Sequence, residues 1–340
     1  MLPLIEAINK EVLKSELTPE KFLRPTNKSK NEIYVVTSHN SPNVMLEIGR
    51  LREEAFRSWG GGTGNEIDVD AYDYSEKPYY QLIVWDPEEN EIVGGYRFLF
   101  GKDVALNENG EPEFVMSHLF QYSKQFINEN LPYTIELGRA FIQPAYQTSQ
   151  KGTKSIFALD NLWDGLGALI HLAKEARYFI GKVTMYNSYP DVARELIYEY
   201  MFRFFPDREK LILPRNPVAI GNNIKTLATK LFTEKDKEAN YKILQKTLRK
   251  ENVNIPPLFN AYIGLTNTLR MFGSAIDPNF SSVYETGIML TMSDIVETKR
   301  KRYIEPYIEY LKNVFSHETF SKIATHEPRP RRIYNFFQFE

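Results

Sequence analysis

Apolar positions follow two rhythms along this chain, one of strands and one of helices. "EIYVVTS" at 32–38 is a short β-branched run and predicts a strand. "SPNVMLEIGRLREEAFRSWG" predicts a helix, with Ser41 or Asn43 as its cap and Val44, Ile48, Leu51, Ala55 and Phe56 near helical spacing. "GGGTG" ends it and reads as a mobile loop. "YYQLIVWD" and "EIVGGYRFLF", separated by "PEEN", predict an antiparallel hairpin, and "TIELGRAFI" predicts a further strand. From 160 a helix is predicted to run to about 179, with Leu162, Leu166, Leu169, Ile170 and Ala173 on one face and Gly181 just past its end. "KVTMYNS" then predicts a strand. The mixture of helices and strands is α/β.

The flanks read differently. The first segment, to about residue 30, predicts a helix and a polar loop. In the last third, "NNIKTLATKLFTEKDKEANYKILQKTLRKENV" predicts charged helices. "FGSAIDPNFSSVYETGIMLTMSDI" predicts a loop and a strand, "ETKRKRYIEPYIEYLKNVFS" a helix, and "EPRPRRIYNFFQFE" an irregular tail. There is no internal repeat, low-complexity tract or clean linker. The expected organisation is an N-terminal extension (1–40), a sheet-centred core (41–220) and a C-terminal helical segment with a strand packed on the core (221–340).

Composition narrows the function classes. The 340 residues, 42% hydrophobic and 14% aromatic, suit a globular protein with a sizeable core. A net charge of −2 gives no case for nucleic-acid binding. The chain has no cysteine, which excludes disulfides, thiolate zinc sites and cysteine nucleophiles. His39, His118, His171, His317 and His326 show no metal-ligand spacing, so no metal is expected. No signal peptide and no run near the ~20 apolar residues of a membrane span appear, so a cytoplasmic protein is expected, with peripheral membrane contact left open.

Several polar residues stand out against this background. Glu136 and Arg139 lie three apart in a strand and face opposite ways unless a bulge intervenes. Arg97 is a lone charge in an apolar strand, either paired or turned to solvent. "NEIDVDAYD" holds Glu66, Asp68, Asp70 and Asp73, an acidic cluster suited to binding an amine or to forming a solvated Asx-turn loop. It lacks the glycine and terminal Glu of a calcium loop. "QTSQKGTKS" joins a strand to a helix start and offers Lys151, Gly152 and Lys154 as a phosphate cradle or an ordinary connector. It is not a Walker A sequence, and no nucleophile elbow is present.

Taken together, "LREEAF", the acidic cluster, "IVGGYR", "ELGRAFIQPAYQ", the polar loop and "LWDGLGALI" resemble the ornithine-lipid and glycine-lipid N-acyltransferases of the GNAT superfamily, often labelled putative hemolysins. "IPPLFNAYIGL" and "AIDPNF" are similar to that family's C-terminal segment, so the resemblance spans about 46–295. Acyl-homoserine-lactone synthases have a similar but more distant layout. Their Arg, Phe and Trp match Arg52, Phe56 and Trp59; their acidic trio matches Asp68, Asp70 and Asp73; their strand Arg matches Arg97; and their Glu-x-x-Arg matches Glu136 and Arg139.

The resemblance implies a GNAT-like mixed sheet flanked by helices, with a C-terminal helical elaboration. It also implies transfer of a 3-hydroxyacyl or other long-chain acyl group from an acyl carrier protein thioester to the amine of glycine or ornithine, in aminolipid synthesis. Glu136 would face the amine with Asp70 and Asp68, and Arg139 would anchor the acidic cluster or first helix. Backbone N–H groups near Ala140, Phe141 and Ile142 would stabilise the developing oxyanion. The pantetheine phosphate would meet Lys151, Gly152 and Lys154. The loop has one glycine where two small residues are usual, which favours a carrier-bound donor over free coenzyme A. No cofactor is expected to bind tightly. The "KRKR" run is a candidate surface for the acidic carrier, and the aromatics could line an acyl tunnel or simply form core. Two alternatives stand beside this reading: an acetyl-coenzyme A-dependent acetyltransferase, and a non-enzymatic membrane-associated protein.

Overall fold

A computed structural model describes residues 1–148 and 151–321. The described residues form ten strands and ten α-helices. The strands are β1 (Phe22–Pro25), β2 (Glu32–Val36), β3 (Tyr80–Asp86), β4 (Glu91–Phe100), β5 (Phe120–Tyr122), β6 (Thr134–Ile142), β7 (Tyr178–Met185), β8 (Ile212–Pro214), β9 (Arg270–Asp277) and β10 (Val283–Thr291). The helices are α1 (Lys10–Glu16), α2 (Pro42–Arg57), α3 (Ala71–Tyr74), α4 (Thr153–Leu172), α5 (Asp191–Phe204), α6 (Asn222–Leu231), α7 (Lys237–Lys250), α8 (Pro257–Ile263), α9 (Glu297–Lys299) and α10 (Glu305–Ser321).

Eight strands form one mostly antiparallel sheet in the order β1-β2-β3-β4-β6-β7-β10-β9; β5 and β8 pair separately. Among the described strands, only β6 and β7 pair in parallel. Period-two alternation splits the core between two faces. Leu82 and Val84 of β3 pack with Leu162, Trp163, Leu166 and Leu169 of α4 on one face. Ile83 and Trp85 pack with Val44, Ile48, Leu51 and Phe56 of α2 on the other. The sheet draws strands from all three segments of the chain, with β2 in the first and β9 and β10 in the last.

Four elements depart from the sequence expectation. The long helix starts at Thr153 and stops at Leu172, and Tyr178 and Phe179 belong to β7. Gly181 is not a helix terminator. It lies inside β7, where a Cβ would come within 2.7 Å of the Leu137 carbonyl oxygen, so glycine permits close pairing of β6 and β7. The N-terminal segment holds a strand, β1, instead of only helix and loop. The region read as loop and strand near 271–294 is the hairpin β9–β10. The irregular tail expected from 327 onward lies outside the described residues.

Candidate active site

The site is built where β6 and β7 part. They pair from Thr134↔Tyr178 to Leu137↔Gly181 and no further. Beyond that point β6 stays with β4 through Ile142, and β7 stays with β10. The β7-facing edge of β6 therefore has no ladder partner after Leu137, and a wedge opens through the sheet.

A bulge decides what faces the wedge. Gly95 pairs with Phe141 and Arg97 with Gly138, so β6 carries one extra residue there. Arg139 sits in the left-handed region at φ 52°. The bulge turns Arg139 to the face that already carries Glu136, the α2 face. The two side chains line one cavity, which simple alternation forbids.

Glu136 is buried, and its oxygens accept from the Tyr79 hydroxyl, the Val115 N–H (3.2 Å) and the Met116 N–H (2.9 Å). Burial pushes its carboxyl up from the ordinary range, against these donors. Arg139 pairs through Nε with Asp68 at 2.9 Å and lies 4.5 Å from the Phe280 ring centre. Asp68 is held by its own N–H on the Gly49 carbonyl of α2 (2.9 Å). The two terminal nitrogens of Arg139 have no hydrogen-bond partner among the described residues.

The rest of the acidic cluster is internally engaged. Asp70 caps α3, and its side chain accepts from the N–H groups of Tyr72 and Asp73. Arg97 donates to both Asp70 oxygens, at 2.9 and 2.8 Å, and to Asp73 at 2.9 Å. Arg52 lies 3.4 Å from Asp73, whose second oxygen accepts from Gln81 at 2.9 Å. Burial pushes Asp70 up, and Arg97 more than reverses it, leaving its carboxyl below the ordinary value. Every oxygen of Asp70 and Asp73 thus has a protein partner. Within this network only Arg97 reaches the cavity lining.

That cavity, about 60 Å³, is lined by Glu136, Arg139, Arg97, Lys182, Glu285 and the apolar Phe56, Phe280 and Leu258, among others. Sequence reasoning missed Lys182, Glu285 and Asp277. Lys182 on β7 lies 3.3 Å from Asp277 and 3.8 Å from Glu285. Asp277 also meets His118 Nε2 at 3.0 Å. Burial raises the Asp277 carboxyl, but His118 and Lys182 pull it far below the ordinary range. Burial pushes Glu285 up, and here it prevails over Lys182. A signal was present: Lys182 in "FIGKVTM" and Glu285 in "YETGIML" are lone charges in apolar strands, as Arg97 is.

A larger groove of about 720 Å³ meets this cavity. Phe56, Ala140, Thr184 and Leu258 line both. Phe141, Ile142, Trp59 and the 252–258 segment complete its walls. The exposed Trp59 donates to Gln147 Oε1 at 2.9 Å. Toward α4 the wedge continues into a second cavity of about 60 Å³, lined by Leu159, Leu162, Trp163, Leu166 and Tyr262 together with Arg139 and Lys182.

The lysines of the polar loop lie elsewhere. Lys154 pairs with Asp86 at 2.7 Å and Glu88 at 2.8 Å, and Lys151 with Glu89 and Glu91, both at 3.2 Å. Neither lines the groove. Gly152 precedes α4 with φ 57°; Ser149 and Gln150 of this loop lie outside the described residues. In the "KRKR" run, Lys301 pairs with Glu297 at 2.5 Å and Arg302 with Asp160.

Comparison with known proteins gives the family. Residues 51–154 match the acetyltransferase (GNAT) domain family. A glycine N(α)-acyltransferase of Phocaeicola vulgatus is 50% identical over 309 residues, covering 91% of this chain and 94% of that protein. Another, of Bacteroides thetaiotaomicron, is 51% identical over 309 residues, covering 91% of each. A CoA-dependent acyl-homoserine lactone synthase solved with MTA aligns with a TM-score of 0.40 at 12% identity, over 82% of this chain and 89% of that one.

Proposed function

The chain belongs to the glycine N(α)-acyltransferase family and is an N-acyltransferase; from that premise we propose that it moves a long-chain or 3-hydroxyacyl group from an acyl carrier protein thioester to the amine of glycine, as a step of aminolipid synthesis. The non-enzymatic alternative falls with that membership. One observation carries the reading: a small charged cavity and a large apolar groove meet at the wedge, on Ala140 and Leu258.

The acceptor side suits glycine. On the measure by which one water needs ~10–15 Å³, 60 Å³ holds roughly four waters. That is little room for the side chain of ornithine. The free terminal nitrogens of Arg139 match a carboxylate in bidentate fashion. Glu136 and Glu285 supply negative charge for the ammonium group.

The donor side suits a long apolar chain. The groove admits the pantetheine arm, whose amide groups can pair with the free edge of β6 at Ala140–Ile142. Those N–H groups also lie where the thioester oxygen gains charge. The acyl chain is proposed to lie along the groove, whose volume of about 720 Å³ an acetyl group would leave largely empty. The α4 N-terminus, after Gly152, is the proposed site of the phosphate; Lys151 and Lys154 contribute there only by releasing Glu89, Glu91 and Asp86. Trp59, exposed on the groove wall, is proposed to make peripheral membrane contact as the amphiphilic product leaves.

The test offers the purified protein acyl groups on carrier protein or on coenzyme A, with glycine and ornithine in competition. Mass spectrometry is expected to find N-acylglycine in excess, with kcat/KM higher for the long-chain carrier donor. Acetylation from acetyl-coenzyme A as the faster reaction, or N-acylornithine in excess, would overturn the reading.

A further inference from the structure

Glu136 is the residue the chain order first offers as proton acceptor, but its carboxylate is already committed. Three donors hold it between β6 and the 115–116 segment, so it works as an anchor. A second buried carboxylate lines the same cavity. Glu285 on β10 stands opposite Thr184 of β7 and accepts one hydrogen bond, from Thr184 Oγ1 at 3.1 Å. Its other oxygen faces Lys182 Nζ at 3.8 Å, beyond hydrogen-bond distance.

We infer that Glu285 is the group that accepts the proton of the glycine ammonium, with Lys182 and Thr184 positioning it and Glu136 fixing the cavity wall; this rests on the glycine N-acylation reading. The charged groups around Glu285 come from each packed strand: Lys182 on β7, Asp277 on β9 and Arg139 on β6. Lys182 also pairs with Asp277, which His118 holds in turn, so its charge is shared and does not neutralise Glu285 outright. Glu285 and Arg139 line one cavity, so an amino acid whose carboxylate sits on Arg139 can reach Glu285 with its ammonium group. Burial raises the affinity of Glu285 for a proton, as a base for an ammonium group requires.

The step balances as follows. Glu285 takes one ammonium proton, and the nitrogen lone pair attacks the thioester carbonyl. The C–N bond forms and the C–S bond breaks. A second nitrogen proton goes to the departing sulfur, giving the free thiol, and Glu285 returns its proton to water.

The experiment compares kcat and KM for glycine across about pH 5 to 9 in the wild type, Glu285→Gln, Glu136→Gln and Thr184→Val, with thermal melts. In the wild type, activity is expected to fall on the acid side as Glu285 protonates. Glu285→Gln is expected to lower kcat by roughly 10²–10⁴-fold, with a smaller change in KM and no acid limb. Glu136→Gln is expected to lower activity but keep that limb. Thr184→Val, which removes the donor that favours the carboxylate, is expected to move the limb to higher pH. If Glu285→Gln keeps the acid limb or stays within a few-fold of wild type, the inference is overturned. If Glu285→Gln does not fold, an unmoved limb in Thr184→Val overturns it. Wild-type enzyme that makes no N-acylglycine would instead sink the glycine reading, and this inference with it.

Discussion

Arg97 and Arg139 lie on neighbouring strands and do different work. Arg97 is fully buried and its terminal nitrogens are spent on Asp70 and Asp73. Arg97→Met removes the cation shared by Asp70 and the buried Asp73, leaves Asp73 with Gln81 and the longer contact to Arg52, and is expected to cost about 3 kcal/mol in denaturant unfolding. Arg139 uses only Nε on Asp68. Arg139→Lys can keep that pair but not the paired terminal nitrogens, so the KM for glycine is expected to rise by roughly tenfold while kcat changes less. In the sequence the two looked alike, each a charge in an apolar strand. What separates them is a single extra residue in β6, and a bulge leaves no trace in composition or periodicity. Lys182 and Glu285 went unread because each pairs across strands distant in sequence.

At the scale of elements, the wedge was only partly legible: "KVTMYNS" was read as a strand, but Tyr178 and Phe179, the residues of β7 that begin its pairing with β6, were read as the end of a helix. "ARYFIGKVTM" has no period that separates the two, and only pairing with β6 and β10 settles it as β7. The helices and hairpin that flank the site were legible, since α2 and β3–β4 carry strong periodic patterns. On α7, Lys242, Lys246, Arg249 and Lys250 recur along one exposed face and have no ion-pair partner among the described residues. The helix runs straight into the groove wall at Asn252. Within the carrier reading, this face is a candidate docking surface beside the "KRKR" run, of which Lys301 and Arg302 are paired. Reversing these four charges is expected to lower kcat/KM for a carrier-borne donor at least roughly tenfold, with no change for an acyl-pantetheine donor.

At the scale of the whole molecule, the N-terminal turn between β1 and β2 is locked to α4 through a buried carboxylate. Asp164 accepts from the Asn27 N–H at 2.8 Å and from its side-chain amide at 2.5 Å. Burial raises its carboxyl from 3.8 to about 6. Its contribution to stability is therefore fully present below pH 3.8 and is lost as the pH rises through about 6. Relative to Asp164→Asn, the wild type is expected to lose up to about 3 kcal/mol between those limits, read from denaturant unfolding at each pH. Among the described residues no helix is long and apolar enough to cross a membrane. The central claim is that this chain joins an acyl chain to glycine. The most direct test feeds isotope-labelled glycine to a host expressing the chain and examines its lipid extract by mass spectrometry. The account predicts a new labelled N-acylglycine species, absent from a host expressing Glu285→Gln. A folded, expressed protein that yields no labelled lipid, or one that labels only from ornithine, would contradict it.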